Sequence, residues 1–227
     1  MIDPSPQTRA RHYQRRVHTL AEKVVDAVVH GAGLLVAVSA GAILLAATLV
    51  RTAPEAFPAA AVYVGSLIVL LSVSLAFNMW PRTTVKHVLA RFDQAAIFLF
   101  IAGTYTPFLS LVWNSPKGVG MTVFVWSAAM IGMALKLIVP HRFGRLAIPF
   151  YLGLGWSGVV VFHDLAQALP PAALWLLLAG GLSYSFGLVF HLWERLKFYN
   201  ALWHLFVVMG ASLHLFAVLD ALVFSRW

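Results

Sequence analysis

Four residues carry the types and spacing that could do chemistry: Asp93, Asn78, Asn200 and His204. Asn78 closes an apolar run with Ser74 four residues before it, Asp93 opens the next run, and Asn200 and His204 open the last long one. Pairs four apart share one helical face. A carboxylate and an imidazole on facing helices could hold a metal ion or activate a water. The alternative chemistry is structural: a hydrogen-bonded plug that sets helix register, with Asp93 paired to Arg91 or Arg82. Residue types alone leave the two balanced, but burying a carboxylate without a partner costs several kcal/mol, so Asp93 needs one or the other.

The remaining histidines attach to this set with different force. His30 follows Asp26 on one helical face and either joins the site or packs between helices, and packing is the preferred reading. His214 lies ten residues beyond His204, about 15 Å deeper at 1.5 Å per residue and within about 80° around the helix, so it could line the same cavity without sharing a ligand. His87 belongs to a basic turn, His141 and His191 to helix ends, and His163 with Asp164 to a weak surface pair on the outer side.

These residues need elements to position them, and the composition says which. The chain is 61% hydrophobic and 11% charged, with a mean hydropathy of +0.84, too little polar surface to wrap a soluble core. It reads as an all-α membrane protein. Cysteine is absent, which removes disulfides, thiolate ligands and a thiol nucleophile. Residues 1–23 form a basic tail without the apolar core and cleavage site of a signal peptide, and 24–227 read as one seven-helix domain.

Seven apolar runs approach the roughly 20 residues that a bilayer requires: 27–50, 58–80, 93–113, 119–138, 146–166, 171–191 and 201–223. Basic residues collect in the tail (Arg9, Arg11, Arg15, Arg16, Lys23), after the second run (Arg82, Lys86, Arg91), after the fourth (Lys136, Arg142, Arg145) and after the sixth (Arg195, Lys197). Only Arg51, Lys117 and Arg226 fall on the other side, so the N-terminus is expected in the cytoplasm and the C-terminus outside. The net charge of +8 therefore faces anionic lipid, and nucleic acid is not an expected partner. This topology brings Ser74, Asn78, Asp93, Asn200 and His204 to one membrane depth.

Within the runs, Gly103, Thr104 and Pro107 are expected to bend the third helix, with the threonine hydroxyl serving the carbonyl that the proline frees. Gly153, Gly155, Gly180, Gly181, Ser183 and Ser185 are small residues that permit close helix contact. Trp80, Trp113, Trp203 and Trp227 suit an aromatic belt. The last run has no interior lysine for a retinal Schiff base, and the chain has neither a glycine-rich phosphate loop nor a G-x-S-x-G elbow.

The segments RFDQAAIFLFIAGTYTPF from Arg91 and NALWHLFVVMGASLHLFAV from Asn200 closely resemble the haemolysin III family, the bacterial branch of the progestin and adipoQ receptor group, in a superfamily with the alkaline ceramidases. The likeness runs from about Glu22 and His30 through the last helix. It implies seven transmembrane helices and a zinc ion near the cytoplasmic side. Relatives hold that ion through S-x-x-x-H in helix 2 and H-x-x-x-H in helix 7, with a helix 3 aspartate on a zinc-bound water. Carried over, Ser74, Asp93 and His204 match, while the other two ligand positions read Asn78 and Asn200. Asparagine replaces imidazole poorly at zinc, so the resemblance implies a remodelled site, metal-free or holding a weaker ion through Asp93, His204 and another histidine.

The resulting expectation is a bacterial inner-membrane protein acting in membrane or lipid homeostasis through a polar cavity, with membrane lipids as partners. The second is a metal-dependent lipid hydrolase, in which Asp93 and His204 activate water and Ser74 aids the oxyanion. The third is a pore-forming cytolysin, which needs a water-lined path that the outer halves of the helices supply poorly.

Overall fold

The computed structural model describes residues 18–52, 54, 56–81, 83–140 and 146–224. Of the basic residues that orient the chain, Arg9, Arg11, Arg15, Arg16, Arg82, Arg142, Arg145 and Arg226 lie outside these, as do His141 and Trp227. The described elements are all helical. In chain order they are α1 (Leu20–Arg51), α2 (Ala56–Met79), α3 (Thr84–Ser110), α4 (Pro116–Ile138), α5 (Ala147–Trp156), a 3₁₀ segment (Ser157–Val161), α6 (Phe162–Ala168), α7 (Pro171–Leu192) and α8 (Tyr199–Leu219), closed by a π-turn over Asp220–Phe224. With α5 to α6 taken as one span, seven helices among the described residues are long and apolar enough to cross a membrane.

Helix α1 starts at Leu20 rather than near 27 because polar residues there build a cap. The Thr19 hydroxyl accepts from the Glu22 backbone N–H at 3.3 Å, and the Glu22 carboxylate accepts from the Thr19 N–H at 2.8 Å. The apolar run began late in the sequence, but the backbone was already committed. Helix α3 also starts early, at Thr84 and without a side-chain cap, and so places Asp93 well inside the helix rather than at its mouth. Helix α4 opens on Pro116, with the Ser115 hydroxyl accepting from Gly118 N–H at 2.9 Å.

From α1 to α4 and from α7 to α8, neighbours in sequence pack as neighbours in space, the fifth span touches α3, α4 and α7 more lightly, and α8 closes the bundle by packing against both α7 and α1. The core includes Leu44, Tyr63, Phe98, Leu215 and Leu222, all fully buried. Side chains of α1 reach it along one stripe, Glu22, Asp26, His30, Gly33, Ala37, Gly41, Leu44 and Thr48, spaced three or four apart. That stripe is apolar in its deep part and polar at its start.

Two expectations about packing need correction. Gly153 and Gly155 face open space, where an added Cβ would meet nothing within 4 Å. The close approach falls at Gly180, whose added Cβ would run into the His214 ring. The Thr104 hydroxyl donates to Phe100 O at 2.8 Å, and so does not serve the Gly103 carbonyl that Pro107 frees. Instead, Tyr105 next to it has the larger task. Its hydroxyl accepts from Gly158 N–H at 2.7 Å and donates to Gly155 O at 2.7 Å, supplying partners where the fifth span narrows to 3₁₀.

Candidate functional site

The ends of α1 and α8 where those helices begin meet the end of α2, and there the chain gathers its buried polar residues. Asp26 and His30 are four apart on the buried stripe of α1, and both are nearly inaccessible, at 3% and 1% exposure. The neighbour that justifies burying the carboxylate is His204 of α8, whose Nδ1 lies 2.6 Å from Asp26 Oδ1. A carboxylate only accepts, so His204 carries its proton on Nδ1 and keeps Nε2 for another partner.

His30 takes the complementary role. Its Nδ1 lies 2.8 Å from the Asp26 carbonyl and therefore donates, which leaves Nε2 to accept from the Ser74 hydroxyl at 3.1 Å. The two imidazole rings meet edge to face with centroids 4.3 Å apart. Asn78 donates to Ser74 O at 2.9 Å, while Asn200 donates to Asn78 Oδ1 at 3.0 Å and to Asp26 Oδ2 at 3.3 Å. Each asparagine thus holds a neighbour in place.

Glu22 joins the two helices that frame this cluster. Besides capping α1, its carboxylate accepts from Phe198 N–H at 3.1 Å, immediately before α8 begins. Phe198 has φ of 63°, a left-handed conformation that costs a bulky residue of order 1 kcal/mol or more and persists because neighbours hold it. Beside this clasp a pocket of about 10 Å³ opens between Glu22, Lys23, Asp26, Asn78, Phe198 and Asn200, room for about one water.

The site residues read from sequence divide accordingly. Ser74, Asn78, Asn200, His204 and His30 come together, and His30, expected to pack between helices, stands inside the site. Asp93 is placed otherwise. It belongs to α3 within electrostatic reach of Tyr151, beside Gln94, whose carbonyl accepts from the Tyr151 hydroxyl at 2.7 Å and whose side chain accepts from Lys136 at 2.7 Å. His214 donates from Nε2 to Leu177 O at 3.1 Å in the contact between α7 and α8 and packs 5.4 Å from the Tyr184 ring. His191 rests on Trp203, and His163 bonds Gln167.

Asp26 is the residue that sequence reading used only as a neighbour of His30. Its signal was the stripe Glu22, Asp26, His30, polar residues at four-residue intervals leading into an apolar face. Among the described residues, Asp26, His30 and His204 form a group whose ligand atoms lie within 4.8 Å of one another and which could hold a metal ion. Asp93 is not in that group.

The zinc that the resemblance implies can be tested against these side chains. At the positions where imidazoles were expected, Asn78 and Asn200 present carboxamides, whose nitrogens only donate, and these are engaged with each other, with Ser74 and with Asp26. The donors gathered in their place, one carboxylate and two imidazoles, are of the kinds found in catalytic zinc sites. The Asp26 carbonyl orients His30, and Asn200 orients the Asp26 carboxylate, as outer partners of metal ligands do. The set fits zinc in its donor chemistry.

Residues 18–215 match a family model described as Haemolysin-III related. The chain is 34% identical over 205 residues to Hemolysin-3 of Bacillus cereus, covering 90% of this chain and 94% of that protein. It is 34% identical over 202 residues to the Hemolysin-3 homolog of Bacillus subtilis (strain 168), covering 88% and 94%. It is 31% identical over 163 residues to the human monocyte to macrophage differentiation factor, covering 69% and 67%. No solved structure matches the chain.

Proposed function

Because this chain belongs to the haemolysin-III-related family, we propose that it acts in membrane lipid homeostasis, as a multi-pass protein of the bacterial inner membrane. Its working centre is the cluster of Asp26, His30, Ser74, Asn78, Asn200 and His204. The observation that carries this reading is the 2.6 Å contact between buried Asp26 and His204, from opposite ends of the sequence. A buried carboxylate–imidazole pair is costly to assemble, and replacing such a pair by apolar residues is often neutral or stabilising. Packing alone therefore does not account for it.

Asp26, His30 and His204 would hold a zinc ion in this reading. When bound, zinc would polarise a carbonyl or activate a water. The protein's own groups do the rest. Asn200 keeps the Asp26 carboxylate oriented, the Asp26 carbonyl fixes which nitrogen of His30 bears the proton, and Ser74, whose hydroxyl bonds the other nitrogen, would yield that nitrogen to the ion. The Glu22 clasp limits solvent to a space of about one water.

The donor set also favours a second reading, a metal-dependent lipid hydrolase. The carboxylate assigned to it is now Asp26, with Ser74 retained beside it. A pocket of about 10 Å³ would have to widen to admit a lipid headgroup.

The experiment has two arms. Metal content is measured by inductively coupled plasma mass spectrometry on protein purified without a metal-binding tag, beside Asp26→Ala and His204→Ala. Near one equivalent of zinc, lost in both variants, supports the metal centre, and none in the wild type removes it. Separately, lipid composition and membrane fluidity of a deletion strain are compared with its parent under cold and stationary stress, with complementation by wild type and by Asp26→Ala. A deletion strain identical to its parent ends the homeostasis reading. Metal-dependent release of fatty acid from ceramide or phospholipid by the purified protein, abolished in Asp26→Ala, would decide for the hydrolase.

A further inference from the structure

A second feature lies away from this cluster, on the membrane-facing side of α7 and α8. A groove of about 660 Å³ runs between these helices, floored by Phe206 and walled by Leu182, Phe186, Val189, Met209 and Leu213. Two serines in its lining present no free hydroxyl: Ser183 donates to Phe206 O at 2.8 Å and Ser185 to Gly181 O at 2.9 Å. The floor depends on Gly187, where an added Cβ would stand 2.6 Å from Phe206 Cβ. The groove is thus predominantly apolar, and Leu182, Phe186 and Val189 are each at least half exposed.

Length and position indicate its occupant. On α7 the lining runs from Ala179 to Val189, about 15 Å at 1.5 Å per residue, which is one leaflet of a hydrocarbon core about 30 Å thick. Helices α7 and α8 are antiparallel, so the Val189 end leads to their connection, where Arg195 and Lys197 are exposed beside Glu194 and flanked by the exposed ring of Trp193. A chain-length apolar slot whose helices lead on to a connection carrying two exposed basic side chains and an exposed aromatic ring matches one lipid molecule. Helix dimers in membranes instead favour small residues that let backbones approach, whereas bulky Leu, Phe, Val and Met dominate these walls.

We propose that this groove binds an anionic glycerophospholipid, one acyl chain lying along Phe206 between α7 and α8 and the phosphate paired with Arg195 and Lys197. The site is independent of the Asp26 cluster, and neither reading depends on the other.

Native mass spectrometry of the full chain in mild detergent tests it, with phosphatidylglycerol and phosphatidylcholine of identical acyl chains added in turn. Phosphatidylglycerol should be retained preferentially, by roughly fivefold for each basic side chain engaged. Replacing Arg195 and Lys197 together by serine should remove the preference while leaving the weaker retention of both lipids. Leu182→Trp with Met209→Trp, which fills the groove from exposed positions, should lower retention of both. Thermal unfolding and gel filtration establish that each variant is folded before it is scored. Equal retention of the two lipids by the wild type would overturn the proposal. So would retention unchanged by the groove-filling pair, or a lipid-free dimer that the pair dissociates, which would assign the groove to a second copy of the chain.

Discussion

Two of the places where this bundle buries polar atoms use them differently. At the break in the fifth span, one Tyr105 hydroxyl reaches backbone groups of Gly155 and Gly158 and substitutes for helical hydrogen bonds. At the meeting of α1, α2 and α8, side chain meets side chain: Asp26 with His204, His30 with Ser74, Asn200 with Asn78 and Asp26. Polar atoms that serve the backbone repair a structural fault. Side chains of metal-ligating types that serve one another form a group that could hold an ion. The contrast explains why the cluster, and not the Tyr105 joint, is the candidate centre.

The largest effect should come from Asp26→Ala, which leaves His204 Nδ1 and an Asn200 amide proton without their acceptor. Breaking a buried pair from one side costs about 3–5 kcal/mol, so thermal unfolding in detergent should show a large loss, together with loss of any bound metal. A variant as stable as the wild type would mean that the pair is not formed, and the comparison would collapse.

Glu22→Ala should follow, at about 2–3 kcal/mol, because one carboxylate accepts from Thr19 and from Phe198. It sharpens the comparison if proteolysis then opens the connection before α8 while metal content falls only partly. Tyr105→Phe removes one hydroxyl from two backbone partners, and about 1–3 kcal/mol of stability should go with it. Metal content should not change. Loss of metal in Tyr105→Phe would erase the distinction between repair and chemistry.

Glycines provide the smallest and most discriminating pair. Gly180→Ala drives a methyl group toward the His214 ring and should cost about 1–3 kcal/mol, whereas Gly153→Ala meets open space and should be neutral or stabilise by up to about 1 kcal/mol. Equal effects at the two positions would contradict the packing of α7 on α8.

Much of the molecule was legible before any coordinates. Seven apolar runs became seven spans, because in a bilayer a helix of sufficient length is the one way for such a run to satisfy its backbone. Four-residue spacing correctly joined Ser74 to Asn78 and Asn200 to His204. The helix starts were read late at α1 and α3, since capping and polar turns extend a helix beyond its apolar portion and hydropathy does not register them.

The carboxylate at the centre was the harder matter. Asp26 and Asp93 both stand near the start of an apolar run, at the same side by topology, and nothing local distinguishes them. What separates them is how each helix is rotated in the bundle and which neighbour it packs against: α1 turns Asp26 toward α8, while α3 brings Asp93 within reach of Tyr151. The sequence by itself determined the class of protein, the number of spans and the family, since these follow from length, hydropathy and local spacing. Only the tertiary structure decided which acid meets which histidine, because that depends on the rotation and docking of helices whose contacts are separated by most of the chain.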